Sequence, residues 1–263
     1  KLGWKVSALG FGCMRLPTRD GKALGPDIDR DLAIRMIRRA ADQGVNYFDT
    51  AYVYHDGASE VVLGAALRDG YRSRVKIATK SPLWIVRSPE DFDKHLNESL
   101  RRLDTDHIDF YLLHALDRNN WRRKVLGLGL LERAEAAIRD GRIGHLGFSF
   151  HDEAEVFADI LNGYDRWSFC QIQYNYMDAD SQAGTRGLRY AAAKGLAVVV
   201  MGPLLGGSLV DPPPAIQSLW DAAPVRRSPA DWALQWVWNQ PEVSVVLSGM
   251  STMDQLTENL QSA

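Results

Sequence analysis

Short apolar runs alternate along this chain with longer stretches in which apolar positions recur every three or four residues. Eight runs read as strands: Leu9–Cys13, Val45–Phe48, Val75–Thr79, Ile108–Leu113, Ile143–Phe148, Phe169–Gln173, Ala197–Met201 and Val243–Leu247. A helical pattern follows each, over Ile28–Asp42, Ala58–Arg68, Pro89–Arg102, Leu128–Arg139, Glu153–Asn162, Ala183–Lys194, Pro229–Gln240 and Met253–Leu260. Strand starts recur at intervals of about 26 to 46 residues, as repeated βα units do, and no interval suggests a domain boundary. Val198-Val199-Val200-Met201 and Val245-Val246-Leu247 are apolar throughout, which fits a parallel sheet covered on both faces by helices. The pattern predicts an α/β fold, a single-domain (β/α)8 TIM barrel over residues 1–263.

Local signals sharpen some boundaries. Ser88-Pro89-Glu90-Asp91 and Ser228-Pro229-Ala230-Asp231 each place an N-cap serine before a first-turn proline, with an acid at N3. The segment before Leu9 reads as a short hairpin. The longest irregular stretch, Gly202–Arg227, holds Gly206-Gly207, Pro212-Pro213-Pro214 and Arg226-Arg227, and a connector of that length reads as a lid or cofactor clasp.

Composition narrows the partners. At 263 residues, with 46% hydrophobic and 24% charged residues, the chain has the usual size of one closed barrel and an ordinary globular make-up. A net charge of −2 provides no field to recruit nucleic acid or an anionic membrane. No apolar run approaches the roughly 20 residues that span a bilayer. The opening Lys1-Leu2-Gly3-Trp4-Lys5-Val6 has no signal-peptide core, so the expected location is cytoplasmic and the expected partner a small molecule; oligomeric state is left open. Cys13 and Cys170 have no metal-ligand spacing, and the six histidines form no His-x-His pair, so no metal site is expected. Both thiols read as small buried hydrophobes.

Asp49, Tyr54, Lys80 and His114 follow the ends of three consecutive strand runs. In a parallel barrel the loops after the strands converge on one mouth, and chemistry sits there. A phenol, an ammonium, a carboxylate and an imidazole meeting at that mouth form a proton-donating site. Free tyrosine, with a pKa of about 10, is a poor acid near neutrality. An adjacent ammonium favours the phenolate and is expected to lower that pKa, while a carboxylate holds the ammonium charged. None of these groups supplies hydride, so reduction of a carbonyl needs a cofactor.

Phe48-Asp49-Thr50-Ala51-Tyr52-Val53-Tyr54, Ala78-Thr79-Lys80 and Tyr111-Leu112-Leu113-His114, in that order and with Glu258-Asn259 near the end, resemble the aldo-keto reductases over nearly the whole chain. The wording of Gly10-Phe11-Gly12-Cys13-Met14-Arg15-Leu16-Pro17 and of Ser248-Gly249-Met250-Ser251-Thr252-Met253 is similar to a prokaryotic branch that often carries a cysteine-rich, ferredoxin-like C-terminal tail. The sequence stops at Ala263, about where such a tail would begin.

The resemblance implies that the opening hairpin closes the barrel bottom. It also implies that NADP(H) or NAD(H) lies extended across the mouth without the G-x-G-x-x-G fingerprint, which is absent here. It makes Tyr54 the proton donor, with Lys80, Asp49 and His114 beside it. Cofactor contacts fall on Gly12, Cys13, Met14 and Asp49. Ser149 and Gln171 reach the carboxamide, Met201 the nicotinamide ring, and Gly202, Leu204, Gly206 and Gly207 the pyrophosphate. Gly249, Met250, Thr252, Gln255 and Asn259 surround the adenosine. Tyr54, Trp84 and His114 form the substrate pocket, and Tyr52 and His55 flank the tyrosine. Arg118, Trp121, Arg122 and Arg123 follow His114 in a basic loop, while Trp232, Trp236 and Trp238 read as packing residues.

Phe150, Gln255 and Leu205 depart from the family pattern. Gln255 stands where many NADPH-preferring members have arginine, so discrimination between NADPH and NADH is expected to be weak. The implied activity is NAD(P)H-dependent interconversion of a carbonyl and an alcohol. The alternative is a cofactor-binding regulatory or redox-sensing module, like the potassium-channel β subunits that resemble this family.

Overall fold

The computed structural model describes residues 2–263. Eight parallel strands close into a barrel in sequence order: β1 (Leu9–Gly12), β2 (Tyr47–Asp49), β3 (Lys76–Ser81), β4 (Ile108–Leu116), β5 (Ile143–Phe150), β6 (Phe169–Gln173), β7 (Ala197–Met201) and β8 (Val243–Gly249). Closure comes from β1 pairing with both β2 and β8, with Gly12 opposite Asp49 on one side and Gly249 on the other. The helices are α1 (Arg30–Asp42), α2 (Ala58–Ala66), α3 (Pro89–Leu103), α4 (Leu130–Arg139), α5 (Ala154–Asn162), α6 (Gly184–Ala193), α7 (Pro214–Asp221), α8 (Pro229–Trp238) and α9 (Met253–Ser262). Among the described residues no helix is long and apolar enough to cross a membrane.

Alternating strand residues feed two cores. Phe11, Phe48, Ile77, Phe148, Cys170 and Val246 face the helices, while Tyr47, Phe110, Leu112, Phe169, Val199 and Val245 fill the barrel interior. Both cysteines are fully buried. The predicted helix starts hold: Asp91 Oδ2 accepts from the Ser88 N–H at 3.1 Å, and Ser228 Oγ accepts from the Asp231 N–H at the same distance.

Three expectations are corrected. No strand forms in residues 2–8, so there is no opening hairpin; Leu2, Trp4 and Val6 instead pack as an irregular arm on the lower barrel interior, with Trp4 and Phe110 rings 6.0 Å apart. Apolar burial against that ring cluster closes the bottom without ladder hydrogen bonds. The stretch after β7 is not all connector, because α7 begins at its prolines, where a fixed φ suits a first helical turn. With α8 it lines a cavity of about 970 Å³ containing Trp220, Trp232 and Trp236. Finally, Trp121 does not lie in an open basic loop. It is buried in a π-helical turn, Asn120–Leu126, and packs against Trp167 at 6.2 Å.

Candidate active site

These strands run one to three residues further than the apolar pattern, so Asp49, Lys80 and His114 are strand residues at the upper end of the barrel. Lys80 is 0% exposed, and its Nζ donates to Asp49 Oδ1 at 2.5 Å and to the Thr50 carbonyl at 2.7 Å. The same Nζ lies 4.9 Å from the centre of the Tyr54 ring. Tyr54 meets His114 edge-on at 5.8 Å between centroids, and Trp84, 49% exposed, leans over His114 at 5.0 Å. The four predicted groups and the predicted pocket wall are therefore brought together.

Tyr54 reaches this cluster from a tight turn. His55, Asp56 and Gly57 take successive left-handed conformations with φ of 52°, 53° and 88°. Only the glycine does so without strain. Ala115, after His114, is also left-handed at φ 53°; its N–H donates to Ser149 Oγ at 2.8 Å, tying the histidine strand to β5.

Electrostatics correct one expectation. The Tyr54 pKa is raised, not lowered: burial of the phenol is the largest cause, Lys80 pulls it down, and Asp49 pushes it up again. A phenolate loses more on leaving water than one already paired ammonium returns. For Lys80, burial disfavours the charge, but Asp49 and Tyr54 outweigh it and its pKa is raised. The His114 pKa falls well below the usual imidazole value, through burial first and then Lys80, so the ring is neutral near pH 7.

A histidine with a depressed folded pKa binds its proton more readily when unfolded. Stability is therefore full above the unfolded value of about 6.5 and is lost as pH falls through it. Thermal unfolding from neutral to mildly acidic pH should show this decline, and His114→Gln should lessen it; an identical pH slope in the variant would refute the assignment.

The remaining mouth offers matched groups for a nicotinamide dinucleotide. Ser149 and Gln171 are paired neighbours on β5 and β6. Ser149 Oγ accepts from Ala115, which leaves its proton free to donate. Gln171 Nε2 donates to Met201 Sδ at 3.4 Å, while its buried Oε1 has no partner. An acceptor and a donor side by side complement the two ends of a carboxamide. Beyond Met201, Gly202, Gly206 and Gly207 take left-handed conformations, and a Cβ at Gly207 would meet nothing within 4 Å. Leu204 is half-buried against the core beside them. Gly12 ends β1, and Met14 is exposed above it. Gly249 is exposed at the end of β8, and Thr252 caps α9, accepting from the Gln255 N–H at 3.2 Å. Gln255 Oε1 accepts from the Ser251 N–H at 2.8 Å, so its amide helps shape this turn.

The side chains of Cys13, Met250 and Asn259 lie beneath this surface. Cys13 and Met250 belong to the core, and Asn259 donates to Ser248 Oγ at 2.8 Å. Phe150 points outward, packing on Phe157 at 5.0 Å, so it presents nothing polar to the mouth.

One candidate escaped the sequence reading. Arg15 crosses from β1 to the far side of the cleft: a Cβ on Gly206 would lie 3.3 Å from its Nη2, and one on Gly249 3.3 Å from its Cβ. Among the described residues no carboxylate lies within ion-pair distance of this guanidinium. The run Gly10–Pro17 is read for its resemblance and for Gly12, Cys13 and Met14, and its arginine carries no distinguishing signal; the barrel's closure places it.

Comparison with known proteins agrees with the barrel fold. An uncharacterized oxidoreductase of Schizosaccharomyces pombe is 29% identical over 98% of this chain and 82% of its own length. An L-galactose dehydrogenase of Arabidopsis thaliana is 29% identical over 98% of this chain and 84% of its own. The holo form of the aldo-keto reductase AKR11C1 from Bacillus halodurans superimposes with a TM-score of 0.80, at 27% identity, over 100% of this chain and 89% of that one. Residues 8–263 match the model of the Aldo/keto reductase family, and the chain belongs to that family.

Proposed function

We propose that this protein is an NAD(P)H-dependent oxidoreductase that interconverts a carbonyl and an alcohol, with Tyr54 as proton donor to the carbonyl oxygen. The observation that carries this reading is the fully buried Lys80, ion-paired to Asp49 and set against the Tyr54 ring. A bound reduced nicotinamide supplies hydride to the carbonyl carbon. The chain's own residues manage the oxygen. Tyr54 gives up its proton as negative charge develops there, and Lys80 stabilises the phenolate left behind. Asp49 keeps Lys80 charged through the cycle. The neutral His114 donates a hydrogen bond that orients the carbonyl, and Trp84 excludes water on its open side.

Titration with NADPH and with NADH, followed by assay against aldehydes, ketones and sugars, tests the reading. Turnover with either cofactor supports it. Binding without turnover favours the regulatory module, and failure to bind either removes the cofactor assignment. NADPH should be preferred by less than about a hundredfold, since a neutral Gln255 forgoes a charge-assisted contact. Arg15→Ala should weaken both cofactors by roughly 10- to 100-fold, the equivalent of losing a hydrogen bond between charged groups. Unchanged affinities would take Arg15 out of the site.

A further inference from the structure

We infer that Arg102, on the last turn of α3, is a positioning residue that fixes the turn carrying Tyr54 against the strand carrying Lys80. The inference rests on the proton-donor reading of Tyr54 and adds a residue outside the four groups at the mouth. Arg102 holds the turn on both flanks. Two residues before Tyr54, its Nη1 donates to the Tyr52 carbonyl at 2.8 Å, and its guanidinium lies 4.3 Å from the centre of the Tyr52 ring. Three residues after Tyr54 it lies flat on the backbone of Gly57. A Cβ there would sit 2.7 Å from Nη1 and 2.8 Å from Cζ. Glycine at position 57 thus answers two demands, a φ of 88° and the absence of any side chain beneath it.

The same guanidinium is linked to the strand. Glu60, 0% exposed in α2, accepts from Arg102 Nη1 at 3.3 Å through Oε2, and from Thr79 Oγ1 at 2.7 Å through Oε1. Thr79 immediately precedes Lys80. A carboxylate taken wholly out of water requires such partners, so the chain Gly57–Arg102–Glu60–Thr79 is held as a unit. Glu98 Oε1 accepts from Arg102 Nε at 3.0 Å and sets the plane of the fork from the helix side.

A device of this kind is needed because the turn resists its own conformation. His55 and Asp56 are both left-handed without being glycine, and such backbone persists only where surrounding contacts over-determine it. His55 Nδ1 and the Gly25 carbonyl, 2.6 Å apart, fasten the outer side of the turn; Arg102 fastens the inner side. A lysine cannot reproduce this. It is a point charge on a flexible stem, without a planar fork to lie on Gly57 while bonding Tyr52 and Glu60.

The charged and titratable groups around Tyr54 are Lys80 from β3, Asp49 from β2, Cys13 after β1 and His114 from β4. Arg102 makes its contacts on either side of Tyr54, with Tyr52 and Gly57. Its removal therefore reaches the phenol through position, by loosening the contact with Lys80.

The test compares full-length Arg102→Met, Arg102→Lys and Gly57→Ala with Tyr54→Phe, reading cofactor affinity, Tm, and the pH dependence of carbonyl reduction and alcohol oxidation. Any carbonyl turned over in the panel above serves as substrate. Arg102→Met is expected to lower kcat by roughly a hundredfold, the cost of about 1 Å of misplacement, with cofactor affinity and KM nearly unchanged. Arg102→Lys should recover only part of this loss. The pH at which oxidation reaches half its plateau should rise, because the phenolate loses Lys80. Gly57→Ala displaces the guanidinium from the other side and should act in the same direction, so the idea remains testable if Arg102→Met does not fold.

A lowered Tm with unmoved kcat and pH profile would reduce Arg102 to a structural residue and overturn the inference. If Tyr54→Phe keeps turnover, or no carbonyl is reduced by the wild type, the proton-donor reading itself fails and this inference falls with it. Loss of turnover in Tyr54→Phe beside unmoved Arg102 profiles sinks only the inference.

Discussion

Tyr54→Phe should lower turnover by roughly 10²- to 10⁴-fold, the contribution of a positioned general acid, while cofactor affinity stays within about twofold of the wild type. The ring keeps its edge contact with His114 at 5.8 Å, so packing survives and only the hydroxyl is lost. Lys80 and Asp49 remain paired, so the change costs little stability. Steady-state kinetics beside a fluorescence titration separates the two quantities. A decrease confined to affinity would mean that Tyr54 binds ligand rather than transferring a proton. The raised Tyr54 pKa gives the reaction a direction-dependent pH response. Reduction needs the phenol protonated and declines only as pH climbs through that raised value. Alcohol oxidation needs the phenolate and gains rate over the same window.

Lys80→Met is expected to lose activity and also to cost about 3–5 kcal/mol of stability, the usual result of removing one partner of a buried ion pair. Asp49 would keep its burial and lose the ammonium that opposes it: burial raises its pKa and Lys80 lowers it. The Thr50 carbonyl would lose its donor as well. The linkage sign then follows. With Lys80 gone, Asp49 takes up a proton in the folded state at a pH where it is ionised when unfolded, so the variant should gain stability as pH falls from about 8 to about 5. Wild type, losing stability as its buried His114 charges, should trend the other way. Denaturant unfolding at both pH values checks the sign. Asp49→Asn combined with Lys80→Met should recover most of the stability and none of the activity, because the uncompensated charge is gone but the phenolate still has no ammonium. Equal stability of Lys80→Met and wild type would contradict the buried-pair account.

The two variants divide the site's work. In the proposed mechanism Tyr54 supplies a proton and little structure, whereas Lys80 is at once the electrostatic partner of the phenol and a buried charge that the barrel must neutralise. That double duty explains why Lys80 is set within β3 rather than in a loop. A strand holds both Nζ contacts, at 2.5 and 2.7 Å, without further ordering cost.

Much of this protein was determined by sequence alone. Alternating apolar periods of two kinds marked eight strands and the helices between them, because burial on both faces of a parallel sheet leaves a local, readable record. Asp49, Lys80 and His114 stood out as polar residues at the ends of apolar runs, and Ser88 and Ser228 as caps, since these signals need only neighbours in the chain. The tertiary structure decided what depends on distance in space. Leu2, Trp4 and Val6 close the barrel bottom without a hairpin because the rings they cover come from strands far along the sequence. Tyr54 has a raised pKa because burial, invisible to spacing, outweighs the lysine beside it. Arg15 reaches Gly206 and Gly249, and Arg102 reaches Gly57 and Glu60, only after β1 has met β8 and α3 has packed on α2. Periodicity reports whether a residue is buried, but which groups share that burial is settled by closing the barrel.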